Sequence, residues 1–268
     1  MRILTFEGFF LYNREIGGVL MKEINIASVN QTFEKKSPQE LLRWALEAFK
    51  EKVALASSFG VEDVALIDMM VKISPKARIF TLDTGRLNEE TYEVMDRIRE
   101  KYGISIESYF PDPQKVEQLE RTKGFYSFRK SVDNRKECCG IRKVEPLTRA
   151  LSTVEAWITG LRRAQSVTRT DIAKVELDAA HHNIVKINPI AGWSEKEVWD
   201  YVKKNQVPYN KLHDQGYPSI GCAPCTRAIK PGEDIRAGRW WWENPEQKEC
   251  GLHVHSSPGD KESSRRRT

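Results

Sequence analysis

Short apolar runs alternate along this chain with segments of helical periodicity, and this alternation limits the fold more than any other feature of the sequence. The apolar runs, which we predict to be strands, are residues 53–57, 78–82, 104–109, 154–158 and 184–187. Helical stripes and capping residues predict helices at 38–50, 62–71, 88–101, 114–120, 136–151 and 194–204. Alternation at this spacing predicts an α/β fold with a doubly wound, mostly parallel sheet. Ligands bind such sheets at the carboxyl ends of the strands.

The length and charge of the chain bound its organisation. Its 268 residues, 40% of them hydrophobic, are enough for one large domain with a folded core. We expect a disordered extension over residues 1–30 (with Met21 as the natural start), a single domain over 31–255 that becomes irregular after residue 190, and a disordered basic tail over 256–268. The net charge of +5 fits a small anionic substrate better than a nucleic acid. No apolar run approaches the roughly 20 residues that span a bilayer, so we expect a cytoplasmic protein without a membrane partner. The sequence is also compatible with a homo-oligomer.

Two turns follow predicted strands and could contact a nucleotide. The first, Ser57-Ser58-Phe59-Gly60, precedes a helix whose free N–H groups favour an anion. The second is Leu82-Asp83-Thr84-Gly85, where Asp83 could bind a ribose hydroxyl or an adenine amino group. Each turn also has a simpler interpretation, an ordinary connection between strand and helix in which the aspartate caps locally. On these residues alone the simpler interpretation is favoured.

Five arginines stand where they could bind phosphate or sulfate: Arg162, Arg163, Arg169, Arg236 and Arg239. The first three follow Gly160, just past a predicted strand, and the last two are three residues apart beside the tryptophans 240–242. Guanidinium groups match the paired oxygens of phosphate and sulfate, and a helical turn would aim the last two the same way. A solvated run of charge is the alternative for the first group. Their positions favour an anion pocket.

Four of the five cysteines form two close pairs, Cys138-Cys139 and Cys222-x-x-Cys225. Four thiols are the right number for one metal centre, and a reducing compartment favours metal over disulfides. Zinc, a thioredoxin-type redox pair and inert core cysteines are the alternatives. Neighbouring helical residues point about 100° apart, so adjacent thiolates suit an iron–sulfur cluster better than a single ion. Lys136, Arg142 and Lys143 would offset the negative charge of such a cluster.

The fifth cysteine, Cys250, has a different setting. Lys248 precedes it by two residues and His253 follows it by three. Cationic neighbours lower the pKa of a thiol and raise its thiolate fraction, which predicts a nucleophile. A stray surface cysteine is the simpler alternative. A nucleophile without a partner cysteine would need an external dithiol to regenerate it.

Four separated motifs together resemble one enzyme family. They are Cys-Cys-Gly-Ile-Arg-Lys (138–143), Gly-Cys-Ala-Pro-Cys-Thr (221–226), Arg-Ala-Gly-Arg-Trp-Trp (236–241) and Glu-Cys-Gly-Leu-His (249–253). In this order they resemble the assimilatory adenylyl-sulfate (APS) reductases, which are sulfonucleotide reductases like the phosphoadenylyl-sulfate (PAPS) reductases. The resemblance covers residues 38–255, and the stretch 166–169 is shorter than the family's corresponding motif.

The resemblance implies an adenine-nucleotide α-hydrolase-like fold, a 4Fe–4S cluster, and thioredoxin or glutaredoxin as the reductant. It implies cluster ligands at Cys138, Cys139, Cys222 and Cys225, and catalysis by Cys250, Lys143 and His253. The residues it implies for the nucleotide site are Ser57, Ser58, Phe59, Gly60, Leu82, Asp83, Gly160, Arg162, Arg169, Arg236 and Arg239. The PAPS branch typically lacks the four cysteines, so APS is the expected substrate. Reduction of PAPS, or of both nucleotides, is the alternative.

The expected reaction is therefore thioredoxin-dependent reduction of APS to sulfite and AMP in sulfate assimilation, through an S-sulfocysteine at Cys250. Two other classes of protein are distinguishable from it. A tRNA-thiolating enzyme would carry Ser-Gly-Gly-x-Asp-Ser where this chain has residues 57–63. A non-enzymatic metal-binding redox module with four cysteines would have no use for the arginines.

Overall fold

The structure, a computed structural model, describes residues 24–165 and 169–244 and, between residues 5 and 20, the backbone of four short strands. The strands are β1 (Thr5–Phe6), β2 (Phe9–Tyr12), β3 (Glu15–Ile16), β4 (Val19–Leu20), β5 (Ile24–Asn25), β6 (Val53–Ala56), β7 (Arg78–Leu82), β8 (Glu107–Tyr109), β9 (Ala156–Ile158), β10 (Val175–Asp178) and β11 (Ile184–Ile187). Six of them form a central sheet in the order β10-β11-β9-β6-β7-β8. All neighbours in it are parallel except β10 and β11. The mostly parallel α/β fold is confirmed, and β10 is an edge strand that the alternation did not predict.

Helices connect the strands and cover the sheet. They are α1 (Ile26–Phe33), α2 (Pro38–Phe49), α3 (Val61–Ile73), α4 (Glu89–Tyr102), α5 (Pro113–Lys123), α6 (Val132–Cys139), α7 (Glu145–Leu151) and α8 (Glu195–Lys204). Capping boxes begin two of them, with Ser37 and Glu40 at α2 and Ser194 and Glu197 at α8. Each serine accepts a bond from the main chain of its glutamate while the glutamate accepts one in return, which stabilises both helix starts.

Alternate strand residues enter two cores on opposite faces of the sheet. Leu55 of β6 packs with the helices α2, α3 and α8, whose buried residues belong to the same core. Its neighbour Ala54 packs with Trp157 and with α7 on the other face. Successive side chains of a strand point to opposite sides, so strands covered on both faces are apolar throughout. The short apolar runs of the sequence have this origin.

The helical run that carries the first cysteine pair differs from its prediction. We predicted one helix over residues 136–151. The structure begins it at Val132, where the Ser131 side chain accepts a bond from the main chain of Asn134 (3.1 Å). A π-helical turn, Gly140–Val144, then separates α6 from α7. Single π turns in α-helices are frequent at functional sites.

The beginning of the domain also lies earlier than predicted. We placed its start after residue 30, but α1 lies across that position. Asn30 donates from its side chain to the carbonyl of Val175 (2.7 Å) and accepts from the main-chain N–H of the same residue (2.9 Å). These bonds tie α1 to the edge strand β10. The predicted basic tail, 256–268, lies outside the described residues. No helix in the described part of the chain combines the length and the apolar character that crossing a membrane requires.

Candidate active site

A cavity of about 250 Å³ opens at the carboxyl ends of β6, β7 and β9. We call it the larger cavity. Its strand-end wall includes Ser57, Ser58, Gly60, Leu82, Thr84, Thr159 and Gly160. The opposite wall comes from the irregular C-terminal region and includes Ser219, Ile220, Gly221, Ile235, Arg236, Arg239 and Trp240. Turns from three parallel strands therefore meet at one edge of the sheet, where folds of this kind bind ligands.

The turn after β6 presents small polar groups to the larger cavity. The main-chain N–H and the hydroxyl of Ser58 donate to the carboxylate of Asp63 (2.7 and 2.8 Å), and the hydroxyl of Ser57 accepts from the main chain of Phe59 (3.1 Å). Burial raises the pKa of Asp63 to about 6. Phe59 has a φ of 58° and a fully buried side chain. Its ring packs in the core below the turn and does not line the larger cavity, so the place of Phe59 in the nucleotide site stays a prediction for its main chain alone.

The turn after β7 contributes Leu82 and Thr84 to the wall but not the carboxylate of Asp83. That carboxylate accepts bonds from the main chain of Gly85 (2.8 Å) and from the hydroxyl of Tyr92 (2.9 and 3.0 Å). Burial, with a smaller effect of Asp83, raises the pKa of Tyr92 to about 12. The local capping interpretation is the one that the structure supports, and Asp83 does not line the cavity.

The arginines after β9 divide between structure and site. Arg162 is almost fully buried, and its Nη2 and Nε donate to the carboxylate of Glu62 at 2.7 and 3.0 Å. Arg163 donates to the carbonyl of Ile172 (2.8 Å). Only Arg169 of the three lines the larger cavity. Arg162 does not line the larger cavity, because the carboxylate of Glu62 occupies its guanidinium group. Its role as a substrate ligand stays a prediction.

The prediction that Arg236 and Arg239 point the same way agrees with the structure, although a turn rather than a helix holds them. Both line the larger cavity. Arg239 donates to the carbonyl of Ile220 (3.2 Å), and its main chain forms an isolated antiparallel bridge with Thr226. Gly221 lets the guanidinium group approach closely, since a Cβ atom at that position would overlap it.

A second, smaller cavity adjoins the larger one and brings the two cysteine pairs together. Its lining includes all four thiols: Cys138, Cys139, Cys222 and Cys225. None of the four is in a disulfide. Five cationic residues complete much of the wall: Arg86, Arg135, Arg142, Lys143 and Arg239. More than eighty residues separate the two pairs in the sequence, and the fold brings them to one cavity.

Three residues line both cavities: Lys143, Arg239 and Trp240. We call them the shared wall. Trp240 is buried between two guanidinium groups, whose carbons lie 4.8 Å (Arg135) and 4.7 Å (Arg239) from its ring centroid. A buried ion pair between Arg135 and Glu243 (2.8 Å) fixes the segment that follows. Lys143 lines both cavities, and its position between metal centre and substrate stays a prediction.

The residues around the smaller cavity fit a thiolate-ligated, negatively charged cluster in their chemistry. Four thiols provide the donor set, and the cations around them would balance its charge. The Nε of Arg142 is buried without a hydrogen-bond partner among the described residues, while its Nη1 donates to the carbonyl of Thr84 (2.7 Å). Within residues 24–165 and 169–244, no group of three or more His, Cys, Asp or Glu side chains is arranged to hold a metal ion. The argument that these residues suit a cluster therefore rests on the convergence of the four thiols on one cavity.

The thiols must lose protons before they can bind iron. Burial raises the pKa of Cys225 to about 12 and also raises the pKa of Cys138. Cations nearby act in the opposite direction, Lys143 on Cys225 and Arg86 on Cys138. Metal binding to such a site releases protons and stabilises the fold that forms it.

Two predicted catalytic residues, Cys250 and His253, lie outside the described residues. Sequence reasoning in turn missed several residues of the larger cavity, chiefly Gln165, His213 and the segment 218–221. Thr84 and Thr159 lie in turns that it placed at the strand ends, but it gave neither a role. The sequence does contain a signal for the segment 218–221. Gly-Tyr-Pro-Ser-Ile-Gly runs directly into Cys222, so a chain that brings the C-x-x-C to the site must bring this segment as well.

Comparison with known proteins agrees with this geometry. Residues 52–228 match the phosphoadenosine phosphosulfate reductase domain. The chain is 53% identical over 203 residues to the adenosine 5′-phosphosulfate reductase of Allochromatium vinosum, which covers 76% of this chain and 79% of the relative. It is 45% identical over 240 residues to the enzyme of that name from Pseudomonas aeruginosa (strain LESB58), which covers 88% and 89%.

A solved structure shows the same architecture. The phosphoadenylyl-sulfate (PAPS) reductase from Candida auris, crystallised as a phosphate complex, is 29% identical and superimposes with a TM-score of 0.67 over 80% of this chain and 100% of that chain. The chain therefore belongs to the phosphoadenosine phosphosulfate reductase family. The predicted enzyme class, an oxidoreductase, is confirmed with it.

Proposed function

We propose that this protein reduces adenylyl sulfate to sulfite and AMP. The observation that carries the proposal is the shared wall. An anion held by Arg239 and Lys143 in the larger cavity would lie against the wall of the cavity that contains four thiols. The names of the bacterial relatives support adenosine 5′-phosphosulfate as the substrate.

The larger cavity has two chemically distinct sides, which suit the two ends of such a nucleotide. Main-chain groups, hydroxyls and glycines at the strand ends suit the nucleoside, since Gly60 and Gly160 allow close approach. The cations suit the phosphosulfate: Lys143, Arg169, Arg236 and Arg239. Charge gathers on the leaving phosphate as the sulfur–oxygen bond breaks, and preorganised cations stabilise that transition state.

The reacting group in the proposal is the thiolate of Cys250. Its sulfur attacks the sulfur of APS, an S–S bond forms, the S–O bond to the phosphate breaks, and AMP leaves with the electron pair. A thiolate of thioredoxin or glutaredoxin then attacks the sulfur of Cys250 and releases sulfite. The second thiol of the reductant closes its disulfide and restores Cys250. Sulfate sulfur is reduced by two electrons, and the dithiol supplies both.

The four thiols of the smaller cavity would hold a 4Fe–4S cluster. When bound, the cluster would supply a structural link and a local electrostatic field. Lys143 and Arg239 would lie within that field while they bind the substrate. The dithiol supplies both electrons of the reduction, so the proposal requires none from the metal centre.

Sulfite release measures the proposal directly. The iron-loaded protein, thioredoxin and thioredoxin reductase would be mixed with APS or with PAPS, and sulfite counted against time. We expect rapid release from APS, slower release from PAPS, and none without thioredoxin. Mass spectrometry without reductant should then show one SO3 group on Cys250, and Cys250→Ser should abolish both signals. Equal sulfite release from Cys250→Ser would overturn the mechanism, and no release from either nucleotide would overturn the function.

A further inference from the structure

His213 lines the larger cavity with a ring nitrogen that has no partner. It lies on the short turn Lys211–Gln215, in the region of the chain with the least periodicity. Its Nε2 is buried and has no hydrogen bond to any described residue. A buried polar atom left unpaired costs free energy, so native proteins rarely leave one without a purpose. A ligand in the cavity is the available partner.

The protonation of the ring defines what that partner must be. Burial lowers the pKa of His213, so the ring is neutral at pH 7. The main chain of Tyr217 raises the same pKa in part, which is the effect of a carbonyl that accepts from the ring. Because Nε2 has no partner, we assign the proton to Nδ1. In a neutral imidazole the other nitrogen is then an acceptor only.

The turn that carries His213 is anchored on both sides. Asn210 accepts from the main chain of Leu212 (3.0 Å) and donates to the hydroxyl of Thr91 in α4 (3.1 Å). The ring of Trp199 in α8 meets the imidazole edge-to-face, with centroids 5.4 Å apart. The acceptor is therefore held in place before any ligand arrives, which reduces the entropy lost on binding.

We propose that Nε2 of His213 accepts a hydrogen bond from the nucleoside part of the bound nucleotide, and so fixes the position of that end. The inference rests on the proposed function. Phosphate and sulfate oxygens at neutral pH only accept, so a lone pair on His213 would repel the phosphosulfate end. The nucleoside offers the donors: the ribose hydroxyls and the exocyclic amino group of adenine. His213 is in this sense a positioning residue for the substrate.

The test uses AMP and three analogues that each lack one donor: 2′-deoxy-AMP, 3′-deoxy-AMP and inosine monophosphate. Dissociation constants would be measured by calorimetry for the iron-loaded wild type, His213→Leu and His213→Gln. Trp199→Phe is the matched control, since Trp199 contacts the imidazole but does not line the cavity. We expect His213→Leu to weaken AMP binding about tenfold, the size of one lost hydrogen bond. His213→Gln, which keeps an acceptor, should recover part of it.

The analogues identify the donor. One of them should bind wild type and His213→Leu equally, because the bond is already absent from both complexes. KM for APS should rise with kcat unchanged in His213→Leu, as expected when an interaction is equal in ground and transition states. Equal AMP binding by His213→Leu and wild type would overturn the inference, as would an equal loss for all four nucleotides. Sulfite release by the wild type, measured in parallel, separates these results from failure of the proposed function.

Discussion

The two cavities on either side of the shared wall are built from different chemistry. The larger one is lined at the strand ends by hydroxyls, glycines and two carboxylates, those of Glu62 and Asp63. The smaller one is lined by four thiols and five cations, with no acidic residue among the described residues of its wall. Only Lys143, Arg239 and Trp240 belong to both. Thr84 of the larger cavity adds direct contacts to the smaller one, because its carbonyl accepts from Arg142 (2.7 Å) and its hydroxyl lies 3.3 Å from the sulfur of Cys222.

The difference separates what the fold provides from what this chain adds to it. Turns at the carboxyl ends of parallel strands form nucleotide sites in many proteins of this architecture. The smaller cavity instead joins the end of α6 and its π turn to the irregular segment around Cys222 and Cys225. Loss of the smaller cavity should therefore stop catalysis but leave nucleotide binding largely in place. The predictions below test this separation.

The largest expected effect follows from removing one thiol of the smaller cavity. Cys225→Ser should lose the iron and the brown colour, and sulfite release should fall by at least about a hundredfold. AMP binding, which needs only the larger cavity, should weaken by less than about tenfold. Iron analysis, absorption spectra and calorimetry measure the three quantities. Cys250→Ser is the control, since it should keep the iron and lose the activity. Full iron content in Cys225→Ser would show that the four thiols do not act together.

Arg162 and Arg169 form a matched pair of opposite roles, the first beside the larger cavity and the second in its wall. Arg162→Ala removes a buried side chain and the ion-pair partner of Glu62, so unfolding free energy should fall by about 3 kcal/mol. Arg169→Ala removes a cation from the cavity wall, so kcat/KM for APS should fall about tenfold with little change in stability. Urea unfolding and steady-state kinetics distinguish the two. If Arg162→Ala were as stable as wild type, its buried ion pair would not be structural.

The shared wall can be displaced without changing any charge. In Gly221→Ala the new methyl group would overlap the guanidinium group of Arg239 and push it from its position. Misplacement of a binding group by about 1 Å can lower activity about a hundredfold. Gly192→Ala is the matched control, because the nearest side-chain atom to its Cβ is Nη1 of Arg163 at 3.9 Å. Equal kinetics for the two variants would show that the position of Arg239 does not limit the reaction.

The sequence predicts the periodic part of the molecule better than its polar contacts. Apolar runs and caps identify the five predicted strands of the central sheet, and the position after a strand identifies Ser57, Gly60 and Gly160. The side chains of Phe59 and Arg162 do not line the cavity as expected, because the first packs in the core and the second pairs with a carboxylate one hundred residues away. His213 was missed because nothing local separates a histidine in an irregular turn from any other surface histidine. Contacts between residues far apart in the sequence determine where these side chains lie, and local spacing does not predict such contacts.

The smallest expected effect concerns the carboxylate beneath the larger cavity and appears as a dependence of stability on pH. The pKa of Asp63 is raised by burial from 3.8 to about 6. Below pH 4 the group is protonated in both folded and unfolded chains, and between pH 4 and 6 only the folded chain retains the proton. Stability from this group is therefore present at pH 4 and is lost as the pH rises through 6. Asp63→Asn, which stays neutral and can still accept from Ser58, removes that loss.

The variant and the wild type should accordingly differ little in unfolding free energy at pH 4, and the variant should be the more stable by about 2 kcal/mol at pH 7. All other titrating groups are common to both chains, so the difference between two urea-unfolding series isolates Asp63. Ser58→Ala is the useful companion, since it removes one bond to the carboxylate without removing its charge. A difference that stayed constant from pH 4 to pH 7 would mean that Asp63 is ionised throughout. Asp63 would then place a full negative charge in the larger cavity. The smaller cavity would also hold negative charge if it bound a cluster, so the two cavities would differ less in charge.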